Sequence, residues 1–192
     1  MSAANMVHDP RTLNRSVHLG RRDALVERAV ELLGQPVDHL EVGGRLQHVR
    51  TVMEYLERAL REQELAARGH PVAELERDFI RFLRLMLDNV RSAAAFLEQQ
   101  AHLEASEDSF LSSFLGVSRD EITLSAINYR RLALDVLSGL WQLLRLLYVP
   151  YRKLRELNDS ELSDEDRARY QLAHDTLREE LRASAPGPSA PH

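Results

Sequence analysis

From residue 45 onward, apolar side chains recur at intervals of three and four. Leu46, Val49, Met53, Leu56 and Leu60 step 3, 4, 3, 4, the heptad seam of a coiled-coil-like hairpin, and predict a helix over about 45–68. Gly69, His70 and Pro71 form a tight connection, with Pro71 preset for a first helical turn. The stripe resumes in Val72, Leu75, Phe79, Phe82, Met86, Val90, Ala93 and Leu97, predicting a second helix over 71–104, about 50 Å long. Ile80, Leu83, Leu85 and Leu87 widen one half of it. Ser118 and Glu121 have the capping-box spacing and open a third long helix over 119–148. That helix carries Leu132–Tyr151, LALDVLSGLWQLLRLLYVPY, which is apolar nearly all the way round and is closed by Pro150. Such a segment is expected at the centre of the fold or against a second chain.

Shorter helices are predicted over 23–33, ended by Gly34 and Pro36, over 107–115 behind Ser106, and over 164–183 behind Ser163 and Asp166. The last has a thin apolar face of Tyr170, Ala173, Leu177 and Leu181. Alternating strand patterns with Asn-Gly or Asp-Gly turns do not occur, and no fixed-period repeat appears. The expected fold is therefore all-α: an antiparallel bundle of three long helices closed by the shorter ones, one domain over 23–183. Residues 1–22, with Pro10 and Gly20, read as a flexible basic arm, and 184–192, rich in Pro, Ala and Ser, as a disordered tail.

Composition narrows the chemistry. The 192 residues suit one domain that buries roughly 70 per cent of its unfolded surface, so no staple is required. Cysteine is absent, which removes disulfides, zinc–thiolate sites, iron–sulfur clusters and thiol nucleophiles. Asp135, Gln142 and Arg145 inside the apolar segment argue against a membrane span, and the N-terminus lacks a secretory pattern, so a cytoplasmic location is expected. Lys153 is the lone lysine, which reads as coding bias towards arginine. The net charge of −5 does not suit a surface wholly given to nucleic acid. Charge is uneven: Arg11, Arg15, Arg21 and Arg22 face only Asp9 in the arm, whereas residues 156–182 are strongly acidic.

No G-x-S-x-G, P-loop, G-x-G-x-x-G or H-E-x-x-H is present. Glu98 and His102, near Glu104, come nearest to the Glu-x-x-His of di-iron bundles, but their spacing is four and no second pair supports them. Hairpin register places His48 near Ser92, away from His102. Glu54 and Glu57 have the spacing used by helical pyrophosphohydrolases, without the E-x-x-D that should follow on the next helix. His39 beside Asp38 and His174 beside Asp175 read as surface residues, and residues 23–50 do not make a convincing helix-turn-helix. No catalytic residue, metal ligand or cofactor is predicted.

What remains is apolar surface. Trp141, Leu143, Leu144, Leu147, Tyr148 and Val149 exceed what a three-helix core can cover, and Phe110, Leu111, Phe114 and Leu115 form a second apolar group that plugs the bundle or docks in a partner groove. The function expected is that of a non-enzymatic helical interaction protein, scaffold or adaptor, that contacts a protein partner and self-associates. Two alternatives stand beside it: an enzyme holding a metal or small ligand in its bundle core, and a nucleic-acid-associated regulator using Arg11, Arg15, Arg21 and Arg22.

Overall fold

The computed structural model describes residues 10–37, 39–68, 73–107 and 119–184; the side chains of 10–14, 106–107, 119–123, 126, 140, 143–150 and 157–159 fall outside that description. The chain is all-α. In order come α1 (Pro10–Leu33), α2 (Val42–Ala66), α3 (Glu74–Glu107), α4 (Arg119–Glu161) and α5 (Asp164–Ala183). α1 packs on α2, α2 on α3 and α3 on α4 in up-and-down succession; α5 then lies along α1, and α4 touches α1 only sparingly.

The α2–α3 hairpin follows its sequence pattern. Val49, Val52, Leu56 and Ala59 are buried on α2, and Phe79, Leu83, Met86, Val90, Ala93 and Leu97 on α3. Beside this seam, Arg50 pairs with Glu98 and Glu57 with Arg91 at 2.8 Å, and Glu64 with Arg84 at 3.6 Å. Successive pairs lie seven residues apart on both helices. They are largely exposed and contribute at most about 1 kcal/mol each, so apolar packing sets the register. The N-terminus of α3 is held by Glu76, whose carboxylate reaches back to the amide of Ala73 at 3.3 Å. α5 begins as its sequence announces: Ser163 Oγ accepts from the Asp166 amide at 3.2 Å.

Two expected boundaries move. The segment read as a flexible arm is helical from Pro10, and α1 runs unbroken to Leu33 instead of starting at Asp23. Proline at a first helical position loses no hydrogen bond, so Pro10 is a start signal. Gly20 does not break the helix; a Cβ there would lie 2.4 Å from the carbonyl oxygen of Tyr170, so its lack of a side chain lets α5 approach the α1 backbone. α4 does not stop near Tyr148 but passes through Pro150 to Glu161. Proline removes one backbone donor, and beyond it Tyr151 and Leu154 are buried, anchoring the continuation. The predicted helix over 107–115 and the Ser118 cap lie outside the described residues.

The position buried on every side is also not the expected one. Residues 22–26 of α1 are all buried, and two of the five are Arg22 and Asp23. Among the described residues no helix is long and apolar enough to cross a membrane.

Candidate functional site

All five helices meet at a polar node. Arg22 and Asp23, adjacent on α1, have no exposed surface, and the guanidinium Nε donates to Asp23 Oδ1 at 2.7 Å. Arg22 Nη1 donates to Gln63 Oε1 on α2 at 2.5 Å, and its guanidinium carbon stands 5.1 Å from the centre of the Phe79 ring on α3. Phe79 stacks on Tyr151 of α4 at 5.8 Å, and the Tyr170 hydroxyl of α5 donates to Asp23 Oδ2 at 2.6 Å. Burial and the charge of Asp23 push both phenols, Tyr151 and Tyr170, well above the usual tyrosine range, so they stay protonated. The node is enclosed, and its groups satisfy one another's charge.

One turn further along α1, Glu27 binds two helices at once. Its Oε1 accepts from Arg155 of α4 at 2.8 Å and its Oε2 lies 3.1 Å from Nε2 of His174 on α5. His174 Nδ1 is 2.9 Å from Asp175 Oδ1. Both ring nitrogens therefore face carboxylates, a geometry that only imidazolium satisfies with two donors. The hydrogen bond to Glu27, opposed by burial and reinforced by the bond to Asp175, raises the His174 pKa. For Glu27 burial is the largest influence and works upward; the His174 hydrogen bond with the charges of His174, Arg155 and Arg178 outweighs it and leaves the pKa lowered. The imidazole is a clamp between α1 and α5, with neither nitrogen left to act as a base.

The expectation that His174 is a surface residue is thus corrected: it is 2% exposed. A signal was present. The buried positions of α5 are Tyr170, His174, Leu177 and Leu181, spaced 4, 3, 4, and counting His174 as apolar would have found a regular seam. The node itself gave no signal, because buried charges look like a solvated face in a sequence.

Among the described residues, two clefts open on the surface. One, of about 410 Å³, lies between α1, α2 and α5; Arg21, Arg58 and Arg169 line it with Glu62 and Glu180 over Val17, Leu172 and Leu177. The other, of about 420 Å³, lies between the end of α1 and the middle of α4. Leu33 and Val37 form one wall and Leu134, Leu137 and Trp141 the other, with His48, Asp135 and Ser138 as polar lining. The indole edge of Trp141 sits against Gly34, where a Cβ would come within 3.0 Å of the ring. His48 donates from Nε2 to the Leu32 carbonyl at 2.9 Å, and burial, partly offset by that bond, holds its pKa low. Its Nδ1 is consequently an acceptor.

The residues singled out in the sequence separate widely. Trp141 is 43% exposed and lines the second cleft. The side chains of Leu143, Leu144, Leu147, Tyr148 and Val149 lie outside the described residues, as do Phe110, Leu111, Phe114 and Leu115. The basic arm is corrected in part: Arg22 is in the core, and Arg15 donates to Glu76 at 3.1 Å, so two of its guanidiniums are engaged within the fold. Arg21 is exposed at the first cleft; the Arg11 side chain is outside the description. The expected register is corrected: with Arg50 paired to Glu98, His48 stands level with Gln100 and not Ser92, yet its ring turns to α1, where it bonds the Leu32 carbonyl. Among the described residues no group of three or more His, Asp or Glu side chains is placed to hold a metal ion.

Exposed apolar residues missed by the sequence pattern lie further up α4: Leu124 at 61%, Ile127 at 56% and Leu132 at 45%. Gly34, at the end of α1, stands level with Trp141, so the part of α4 before Trp141 runs on past α1 without that neighbour. No protein-family model matches the chain, and neither a curated protein nor a solved structure does.

Proposed function

We propose that this chain is a non-enzymatic helical interaction protein that associates with a second copy of itself through the outer face of α4. The observation that carries the proposal is the uncovered pair Leu124 and Ile127, more than half exposed on a stretch of α4 that α1 does not reach. Isolated exposed leucines are ordinary; here Leu124 and Ile127 stand one turn apart on a helix that is otherwise well packed on α3. Contact along such a face removes apolar surface from water at about 25 cal/mol per Å². By contrast, the buried polar groups Arg22, Asp23 and His174 hold the molecule's own helices together.

Light scattering coupled to size exclusion, run over a concentration series, tests this reading. The expected result is a mass that rises with concentration for the wild type and stays monomeric for the double variant Leu124→Ser/Ile127→Ser. A wild-type mass that remains monomeric throughout, or a double variant that associates as the wild type does, overturns it.

A further inference from the structure

We propose that the cleft between the end of α1 and α4 is a binding site for a small organic cation, an apolar or aromatic body carrying a protonated amine. The walls supply the first half of that description: Leu33 and Val37 face Leu134 and Trp141 across a space of about 420 Å³, a volume suited to a small molecule. Beside Gln35 and Ser138, neutral groups that can both donate and accept, the remaining polar lining supplies the second half. Asp135 is a carboxylate, which only accepts; His48 has its one N–H committed to the Leu32 carbonyl, so its other nitrogen also accepts. Among the described residues no arginine or lysine lines this cleft, whereas Arg21, Arg58 and Arg169 line the other. An anionic ligand would meet a like charge that is only weakly paired, and a neutral apolar one would leave the carboxylate unused. A cation with an apolar body matches both, and Trp141 adds the ring type that attracts cations most strongly.

Asp135 is available for this role. Its neighbour Arg131 approaches only to 4.0 Å, and the two side chains are 72% and 83% exposed, so their pairing is weak and readily displaced. The nearest lining residue on α4, Leu134, is seven residues or about 10 Å along the helix from Ile127, and neither Leu124 nor Ile127 lines the cleft, so ligand binding and self-association through Leu124 and Ile127 are separable.

Trp141 is the one tryptophan of the chain, which makes its fluorescence a direct reporter of the cleft. The full-length protein is titrated with 2-phenylethylamine and, in parallel, with 3-phenylpropionate, which has a similar body and the opposite charge. A saturable change is expected with the amine, about tenfold weaker or undetectable with the carboxylate. Asp135→Asn should weaken amine binding several-fold and Arg131→Gln should strengthen it, while the melting temperature of each variant stays at the wild-type value. Equal response to both probes, absence of saturation with the amine, or the same amine affinity in all three proteins overturns the proposal. The double variant Leu124→Ser/Ile127→Ser should bind the amine as the wild type does, which separates this outcome from that of the association experiment.

Discussion

α5 and the outer half of α4 are joined to the same bundle by opposite means. α5 is the most polar helix in pattern, yet it docks on α1 through groups drawn out of water: buried Tyr170 on buried Asp23, and buried His174 on partly buried Glu27. The exposed half of α4 carries Leu124, Ile127 and Leu132, yet those side chains stand in water. Polarity of a segment therefore says little here about whether the fold has enclosed it. What decides is length and neighbourhood. α5 lies along α1 where Gly20 permits close approach, and α4 continues past the point where α1 ends. The polar contact is geometrically exacting and belongs to the fold; the apolar face makes no such demand, and it is the face proposed above to meet a second copy.

The contrast breaks most severely at the node. Asp23→Ala leaves Arg22 buried without its carboxylate and removes the acceptor of the Tyr170 hydroxyl, so a loss of about 3–5 kcal/mol is expected in urea unfolding. Replacing both charges, Arg22→Met with Asp23→Leu, should recover part of that loss, since two apolar side chains leave no unpaired charge in the core. A double variant as unstable as Asp23→Ala would mean that the Tyr170 bond, which both variants lack, dominates the node. Gly20→Ala tests the close approach: the added methyl meets the Tyr170 carbonyl, and the expected cost, net of the better helix propensity of alanine, is about 1–3 kcal/mol. An unchanged or raised melting temperature would show that α5 can shift at little cost.

The same division explains which parts of the fold were legible. The apolar seam of the α2–α3 hairpin and the bounds of α5 could be read because heptad spacing and the Ser163 cap agree with the tertiary structure; the hairpin register could not, because it was counted from a turn centred at residue 70, whereas the pairs 50/98, 57/91 and 64/84 centre it at 74. α1 could not be read in full. Arg22, Asp23 and Glu27 interrupt its apolar pattern, and their burial depends on partners 41 to 147 residues away, Gln63, Tyr170 and His174. Pro10 and Gly20 are ambiguous for the same reason: proline both ends and begins helices, and a helical glycine marks a close approach only once the approaching chain is known. Of the candidate sites, Trp141 was legible as an exposed aromatic, but the cleft beside it depends on α1 ending at that level, which no local pattern encodes.

A smaller effect is expected from pH, and it sharpens the polar side of the contrast. The raised His174 pKa contributes stability that is fully present below its unfolded value near 6.5 and is lost as pH rises through the folded value. The lowered Glu27 pKa contributes stability present above its unfolded value near 4.5 and lost as pH falls through the folded value. The groups around them are Arg22 and Asp23 of α1, Tyr151 and Arg155 of α4, and Tyr170, Asp175 and Arg178 of α5; the two phenols remain neutral through this range. Urea midpoints should therefore be highest in mildly acidic solution and decline towards alkaline pH. His174→Gln should remove the alkaline decline, and a variant that keeps the wild-type slope would assign it elsewhere.

The smallest effect on stability is expected where the apolar surface is largest. Leu124 and Ile127 already stand more than half in water, so serine at both positions removes little burial and creates no cavity. Helix propensity falls slightly at each site, and the summed change in unfolding free energy should stay within about 0.5–1 kcal/mol, with far-ultraviolet dichroism unchanged. The same double variant is the one expected to abolish self-association. A protein that loses assembly and keeps its stability has its interface outside its core, which is the arrangement the two halves of the comparison imply. A large loss of stability in that variant would instead make Leu124 and Ile127 part of the fold, and the outer half of α4 would then resemble α5 after all.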